Sequence, residues 1–176
     1  MYSISDDVFC IDIKDTKRKL SYASGKESYG TTYNSYLIKS DKNILIDGAP
    51  GKFSDEYFSE LEKIISPKEI DYVIFNHTEP DNSGMLLKLL NINPDIQVIS
   101  TIAGLKNLKE ITNCEFNEYL AKDSAILNFN QFSLQFFTMP NLHWPDTMIT
   151  YCPKKQLLFS GDFLGAHFIS DNNTYC

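Results

Sequence analysis

The decapeptide FNHTEPDNSG, residues 75–84, joins the end of an apolar run to three possible metal ligands. His77, Glu79 and Asp81 stand at alternate positions in it. In an extended backbone alternate side chains point the same way, so these three would converge on one side. Pro80 favours this arrangement because the residue before a proline is held out of the helical region. The stretch therefore predicts a metal site at a strand end, with a solvated acidic turn as the alternative.

Composition and charge limit the classes of function. The chain has 176 residues, of which 43% are hydrophobic and 22% charged, and this fits one folded domain with a sizeable core. Its net charge of -7 argues against nucleic-acid or anionic-membrane partners, and the basic run 17–19 is short. The N-terminus carries acids where a signal peptide would carry positive charge, and the four cysteines form no CxxC pair. We predict a cytoplasmic protein with free thiols.

The apolar pattern alternates strands with helices, which predicts an α/β domain with mixed sheets. Ser54 is a plausible N-cap for the first helix. The predicted strands are 8–13, 33–38, 43–46, 72–75, 97–100, 124–127, 132–137, 148–152 and 157–160, and the predicted helices are 54–65, about 83–90, and 103–111.

Two later stretches strengthen the metal hypothesis. NLHWPDTM, residues 141–148, places His143 in a loop between predicted strands, and LLFSGDFLGAH, residues 157–167, places Asp162 directly after a strand. Taken alone, each residue has an ordinary explanation, as a packed histidine or a turn-forming aspartate. Loops at strand ends are, however, where rigid scaffolds hold functional groups. Together with the first loop they indicate one shared site.

The ligand types indicate the metal. Two histidines with three carboxylates and no thiolate favour iron or manganese over a structural zinc site. The two oxygens of Asp162 could bridge a pair of metals. A paired iron site could bind a diatomic gas such as oxygen or nitric oxide and pass electrons to it.

Five segments carry a resemblance to a known family. HTEPD, LHWPD and LFSGDFLGAH, together with GTTYNSYLI and ILIDG, resemble the flavodiiron proteins. The resemblance implies a metallo-β-lactamase-like αββα sandwich with a diiron centre, followed in the family by a flavodoxin-like domain that carries FMN. We expect residues 1–176 to be the first of these domains, incomplete at its C-terminal end, without the second. Glu79 stands where the hydrolases of the superfamily typically have histidine.

The resemblance also implies roles for single residues. His77, Glu79 and His143 would hold one iron, Asp81 would bind the second, and Asp162 would bridge them. Family members reduce oxygen to water or nitric oxide to nitrous oxide, with electrons that arrive through FMN from a rubredoxin-like donor. They usually form head-to-tail homodimers, so we expect a homodimer here.

This chain departs from the family pattern at the second iron. Asn82 replaces a histidine, Ser21 stands near the position of another, and Gly161 replaces the usual asparagine before Asp162. The final histidine ligand of the family has no counterpart in the chain, and we interpret His167 as a neighbour of the site rather than a ligand. By ligand counting the second iron should be weak or incomplete.

Three hypotheses follow. The first is the diiron domain of a flavodiiron-type oxidoreductase, inactive by itself. The second is a degenerate, non-catalytic binding or assembly module on the same scaffold, which the replacements at Asn82 and Ser21 favour and the five retained ligands count against. The third, a zinc hydrolase, is disfavoured by Glu79. Asp47, at the end of ILIDG, is expected to form a turn or accept a hydrogen bond behind the site, without binding metal itself.

Overall fold

The computed structural model describes residues 1–21, 27–167 and 169, without the side chains of residues 20, 21 and 27–29. The predicted position of the Ser21 side chain therefore lies outside the described residues. No helix in the described part of the chain is long and apolar enough to cross a membrane.

A seven-stranded sheet holds its strands in the order in which they occur in the chain. The first four strands are antiparallel neighbours, and the last four form a parallel half. The strands are β1 (Tyr2–Ser5), β2 (Val8–Ser21), β3 (Glu27–Ile38), β4 (Ile44–Ile46), β5 (Tyr72–Ile74), β6 (Gln97–Ser100) and β7 (Asn117–Leu120).

Helices connect the parallel strands. Helix α1 (Ser54–Glu62) lies between β4 and β5, α2 (Pro80–Ser83) and α3 (Leu86–Ile92) lie between β5 and β6, and α4 (Ile102–Thr112) lies between β6 and β7. Because parallel strands run the same way, the carboxyl ends of β4, β5 and β6 share one edge of the sheet. The loop that contains His77 begins at this edge.

A second sheet has four antiparallel strands in the order β11-β10-β9-β8. These are β8 (Ile126–Asn128), β9 (Ser133–Thr138), β10 (Met148–Cys152) and β11 (Leu157–Phe159).

The hydrophobic core has two layers, one on each face of the seven-stranded sheet. Val73 belongs to the layer that packs against the helices, and its neighbour Ile74 belongs to the layer shared with the four-stranded sheet. Alternate side chains of one strand thus enter different layers, and both faces are buried, which explains why the strand reads as a continuous apolar run. The sandwich of helices, sheet and sheet confirms the predicted α/β class.

Most predicted elements are present, with three corrections. Strands β1 and β7 were not predicted; the second is polar and largely exposed at the sheet edge, so it lacks an apolar signature. Ser54 does not cap α1: the N-cap is Phe53, and no side chain accepts a hydrogen bond there. The helix predicted at about 83–90 is two helices, because Pro80 begins a separate turn three residues earlier.

Candidate metal centre

Four of the five residues predicted to bind metal come together. His77, Glu79, His143 and Asp162 each offer one ligand atom, and these atoms lie within 4.8 Å of one another. Opposite donors around a single ion, each at about 2 Å from it, lie about 4 Å apart. A small adjustment of side chains would therefore bring all four onto one ion. Three separate loops supply them: those after β5, between β9 and β10, and after β11.

His77 is the most rigidly held of the four. Its ring is buried, and Nδ1–H donates to Oδ1 of Asp146 at 3.1 Å. The other ring nitrogen, Nε2, faces Oε2 of Glu79 at 3.3 Å. A metal-bound histidine commonly donates its second N–H to a carboxylate in this way, which fixes its tautomer. The hydrogen bond therefore leaves the lone pair of Nε2 directed into the four-donor cluster.

Asp146, the aspartate of LHWPD, lies at the site although no local feature of the sequence predicts a role for it. It is fully buried, and its Oδ2 also accepts hydrogen bonds from the backbone N–H of Thr78 at 2.8 Å and its hydroxyl at 2.6 Å. Burial alone would raise the pKa of Asp146, but the hydrogen bonds from His77 and Thr78 lower it to about 2. Asp146 is therefore a carboxylate at neutral pH and locks His77 in place.

The cluster is electrostatically suited to a cation. Burial opposes protonation of His77, yet hydrogen bonding to Asp146 and the negative charges of Asp146 and Asp162 raise the pKa of its imidazole. Negative charge thus converges on this point, and a bound divalent ion would compensate it. Nitrogen and oxygen donors without a thiolate fit iron, so the residues present fit one iron ion.

His143 and Trp144 form the exposed side of the site. The ring of His143 meets that of His77 edge to face at 4.8 Å between centroids, and its Nε2 lies 3.5 Å from Oδ2 of Asp162. The indole of Trp144 tilts against His77 at 5.3 Å. Trp144 keeps about half of its surface exposed, so it covers one side of His77 and faces solvent with the other.

Asp81 does not join the four. The alternation that predicted its convergence requires an extended backbone, and this holds only as far as Glu79, with φ -55° and ψ 144°. Pro80 then begins helix α2, which turns Asp81 away and brings Asn82 toward the site instead. Oδ2 of Asp81 pairs with the guanidinium of Arg18 at 3.2 Å. The Nδ2 amide of Asn82 donates to both oxygens of Asp162, at 3.3 and 3.2 Å.

His167 also lies apart from the cluster. Its Nδ1 is 2.9 Å from the hydroxyl of Thr31, a buried residue of β3. The geometry agrees with its interpretation as a neighbour of the site. Arg18, by contrast, belongs to the short basic run 17–19, and nothing local in the sequence indicates its contact with Asp81.

A buried polar network supports the site from behind. Asp47 accepts hydrogen bonds from the backbone N–H and the Nδ2 amide of Asn76, at 2.9 and 3.0 Å, as expected for an acceptor without a direct metal role. The hydroxyl of Thr150 donates to Oδ1 of Asn76 at 2.7 Å. Burial raises the pKa of Asp47 to about 7 despite these donors. Gly161, with φ +57°, passes close to Asn76. Asn76 thus connects the two sheets directly beneath His77.

Comparison with known proteins identifies the family. The model of the ODP family beta lactamases matches residues 31–176. This chain belongs to that family. The stretch matched contains all four clustered residues, together with Asp81, Asn82 and Asp146.

The relatives of this ODP-family domain include a flavo-diiron protein and a diflavin flavoprotein. The flavo-diiron protein FprA2 of Clostridium acetobutylicum is 43% identical over 167 residues, which are 94% of this chain and 42% of that protein. The diflavin flavoprotein A 1 of a Synechocystis species is 44% identical over 143 residues, or 81% of this chain and 25% of that protein. The chain thus spans less than half the length of these relatives.

Solved structures share the fold of this ODP-family domain. A variant of the flavo di-iron protein of Thermotoga maritima superposes with a TM-score of 0.85 at 33% identity, over 97% of this chain and 43% of that one. The rubredoxin oxygen:oxidoreductase of Desulfovibrio gigas gives 0.86 at 24% identity, over 96% and 42%, which supports the fold. The predicted metallo-β-lactamase-like sandwich and the resemblance to flavodiiron proteins are confirmed.

Proposed function

We propose that residues 1–176 form the iron-carrying domain of a flavodiiron-type oxidoreductase that reduces oxygen to water or nitric oxide to nitrous oxide. One observation carries the proposal: the cluster of His77, Glu79, His143 and Asp162, with His77 fixed by Asp146. The names of the relatives, which include iron and flavin, support the same conclusion.

The donor set favours iron over hydrolytic zinc. Two imidazoles and two carboxylates combine nitrogen and hard oxygen donors, a mixture that suits a metal cycling between two oxidation states. Bound iron would supply the electron transfer to a diatomic gas. Glu79 contributes a negative charge where a histidine would contribute none, and this charge favours the more oxidised form of the metal. We therefore assign the site to redox chemistry.

The protein groups around the iron have distinct tasks. Asp146 holds His77 in the tautomer that directs Nε2 inward, and Thr78 fixes Asp146 through two hydrogen bonds. Glu79 and Asp162 neutralise the cation. Trp144 covers one side of His77 while the exposed face beside His143 leaves an approach for a small molecule.

The remaining partners are proposed from the family. FMN, in a flavodoxin-like domain outside residues 1–176, would deliver electrons that it receives from a rubredoxin-like or flavin donor. A head-to-tail homodimer would bring the FMN of one subunit to the iron of the other. We propose a cytoplasmic location for this assembly, with neither nucleic acid nor membrane as a partner.

A non-catalytic module is the second candidate, and the pairing of Arg18 with Asp81 favours it, because this contact removes a predicted ligand. The two candidates differ in whether the iron reacts. Reduced, iron-loaded protein that is reoxidised by oxygen or nitric oxide at a saturable rate supports the oxidoreductase. Iron that stays reduced in both gases supports the module.

Metal content tests the site itself. The chain is purified anaerobically with ferrous iron supplied, and iron is measured for wild type, His77→Ala and Asp162→Ala. Asp123, an exposed aspartate that is not one of the four clustered residues, provides the matched control Asp123→Ala. We expect iron in wild type and in the control, and its loss from both site variants. Iron that is absent from wild type, or unchanged by the site variants, would refute the proposed site.

A further inference from the structure

Arg18 places a fixed positive charge beside the four-donor cluster. Its Nη1 donates to Oδ2 of Asp81 at 3.2 Å and to the hydroxyl of Tyr33 at 2.8 Å. Both contacts are made by this one nitrogen, and Arg18 is about a third exposed. The carboxylate that the family pattern assigns to a second metal is thus neutralised by a side chain of the same chain.

The fold directs Arg18 to this position. The pairing of β2 with β3 shifts register between Asp15 and Lys19, which marks a bulge in the strand. Asp15 stabilises the bulge, because its Oδ1 accepts the backbone N–H groups of Lys17 and Arg18, each at 3.1 Å, while Oδ2 binds Lys52 at 2.5 Å. A bulge redirects side chains, and this one turns Arg18 toward α2. The contact with Asp81 is therefore built into the sheet.

Asn82 contacts the other carboxylate that the family pattern assigns to a second metal. Its amide donates to both oxygens of Asp162, the residue expected to bridge two metals. An amide N–H₂ group is a donor without a lone pair for a metal. Both carboxylates assigned to a second ion, Asp81 and Asp162, are thus contacted by nitrogen donors of the protein.

The balance of charges at the site also disfavours a second metal ion. One divalent ion is neutralised by Glu79 and Asp162, and Asp81 is neutralised by Arg18. A second divalent ion would stand beside the guanidinium with no further carboxylate of the cluster to compensate it, and like charges this close repel. One feature still attracts a cation: Oδ1 of Asp81 is buried without a hydrogen-bond partner in the described part of the chain.

We propose that the site is built for one metal ion, and that the guanidinium of Arg18, with the amide of Asn82, takes the place and charge of the second. This inference rests on the proposed function, since it presupposes an iron ion in the four-donor cluster. Asp81 is then the counter-ion of Arg18 and not a ligand.

Variants of the two replacing residues test the inference. Arg18 and Asp81 line a cleft of about 520 Å³, so substituted side chains can be accommodated at these positions. Arg18→Met removes the charge, Asn82→His introduces a ligand, and the double variant does both. Lys17→Met, from the same bulge, is the matched control. Asp81→Asn removes the carboxylate and keeps its shape. Circular dichroism verifies folding, and ferrous iron bound per chain is measured by anaerobic equilibrium dialysis.

We expect about one iron per chain in wild type, Lys17→Met and Asp81→Asn, and about two in the double variant, since metal content follows the ligands present. The nitric oxide adduct of reduced wild type should give the electron-paramagnetic signal of an isolated ferrous ion, and the double variant should lose it through coupling.

Three results would count against the inference or its basis. Two irons in wild type, with a coupled spectrum, would overturn the inference and leave the proposed function standing. A loss of the single iron in Asp81→Asn would also overturn it, because Asp81 would then be a ligand. No iron in wild type would overturn the proposed function and the inference together.

Discussion

His77 and Asp146 stand 69 positions apart in the chain and are joined by a hydrogen bond of 3.1 Å between Nδ1 and Oδ1. Both side chains are about 1% exposed, so solvent does not weaken the contact. The bond ties the end of a parallel strand to the loop before β10, and it decides which ring nitrogen faces the cluster.

Asp146→Asn should therefore weaken metal binding without removing a ligand. The amide cannot accept from His77 and both groups of Thr78 as a carboxylate does, so the ring loses its fixed tautomer. We expect the iron dissociation constant to rise roughly 10- to 100-fold, measured by competition with a chromophoric chelator. Asp123→Asn should leave it unchanged, and an equal loss in both variants would contradict the orienting role.

Asn93 should matter to folding more than its polarity suggests. It is buried after α3, and its Nδ2 lies 3.3, 3.4 and 2.8 Å from the carbonyl oxygens of Pro67, Lys68 and Ile70. Asn93→Ala leaves these acceptors without their donor, so we expect a loss of about 1–3 kcal/mol in the free energy of unfolding by urea.

The control for Asn93 is Asn117→Ala. Asn117 is exposed and donates to one carbonyl, that of Asp95. This variant should change the free energy of unfolding by less than about 0.5 kcal/mol. Equal effects in the two variants would show that the buried bonds of Asn93 contribute nothing beyond an exposed one.

Acid should weaken the bulge that positions Arg18. Hydrogen bonding to Lys52 lowers the pKa of Asp15 below its ordinary value of 3.8, against the effect of burial. The ionised carboxylate is therefore favoured by folding, and its contribution is complete above pH 3.8 and lost as pH falls through the lower folded value.

Urea unfolding at pH 6 and at pH 3 tests whether the stabilising contribution of Asp15 is lost at low pH. We expect Asp15→Asn to be less stable than wild type at the higher pH and closer to it at the lower. Lys52→Met should likewise make the free energy of unfolding less dependent on pH in this range. A stability difference between wild type and Asp15→Asn that grows toward pH 3 would contradict the assignment.

Gly84 allows the segment after β5, which contains His77 and α2, to pack closely against the turn after β4. A Cβ on Gly84 would lie 2.3 Å from the backbone N of Gly51 and 2.6 Å from the carbonyl O of Pro80, and backbone atoms cannot yield as a flexible side chain does. Gly84→Ala should cost about 1–3 kcal/mol in the free energy of unfolding. It should also weaken iron binding, because α2 must shift.

Leu87→Ala is the control for Gly84→Ala. Leu87 is in the next helix and is 42% exposed, so its truncation should change the free energy of unfolding by less than about 0.5 kcal/mol and leave iron binding unchanged. If Gly84→Ala were as stable as wild type, the turn after β4 and helix α2 would be able to move apart at no cost in stability.

The sequence alone determined the fold class and predicted four of the residues that the structure brings together in the candidate metal centre. Apolar runs such as 72–75 and 97–100 have the period and length of buried strands, and β6 was predicted at its observed bounds. His77, Glu79, His143 and Asp162 each follow or separate such runs. Loops at strand ends are where functional groups are held, so the sequence indicated one shared site, although His77 and Glu79 follow a strand of one sheet and the other two flank strands of the second.

Only the tertiary structure decided where Asp81 lies and which residues, Arg18 and Asp146, contact the site from distant parts of the chain. The local pattern placed Asp81 beside His77 because it assumed an extended chain, and the helix that begins at Pro80 ended that alternation. Arg18 and Asp146 reach the site from 63 and 69 positions away from their partners. Contacts over such separations depend on a strand bulge and on the packing of two sheets, and neither leaves a periodic signal in the chain.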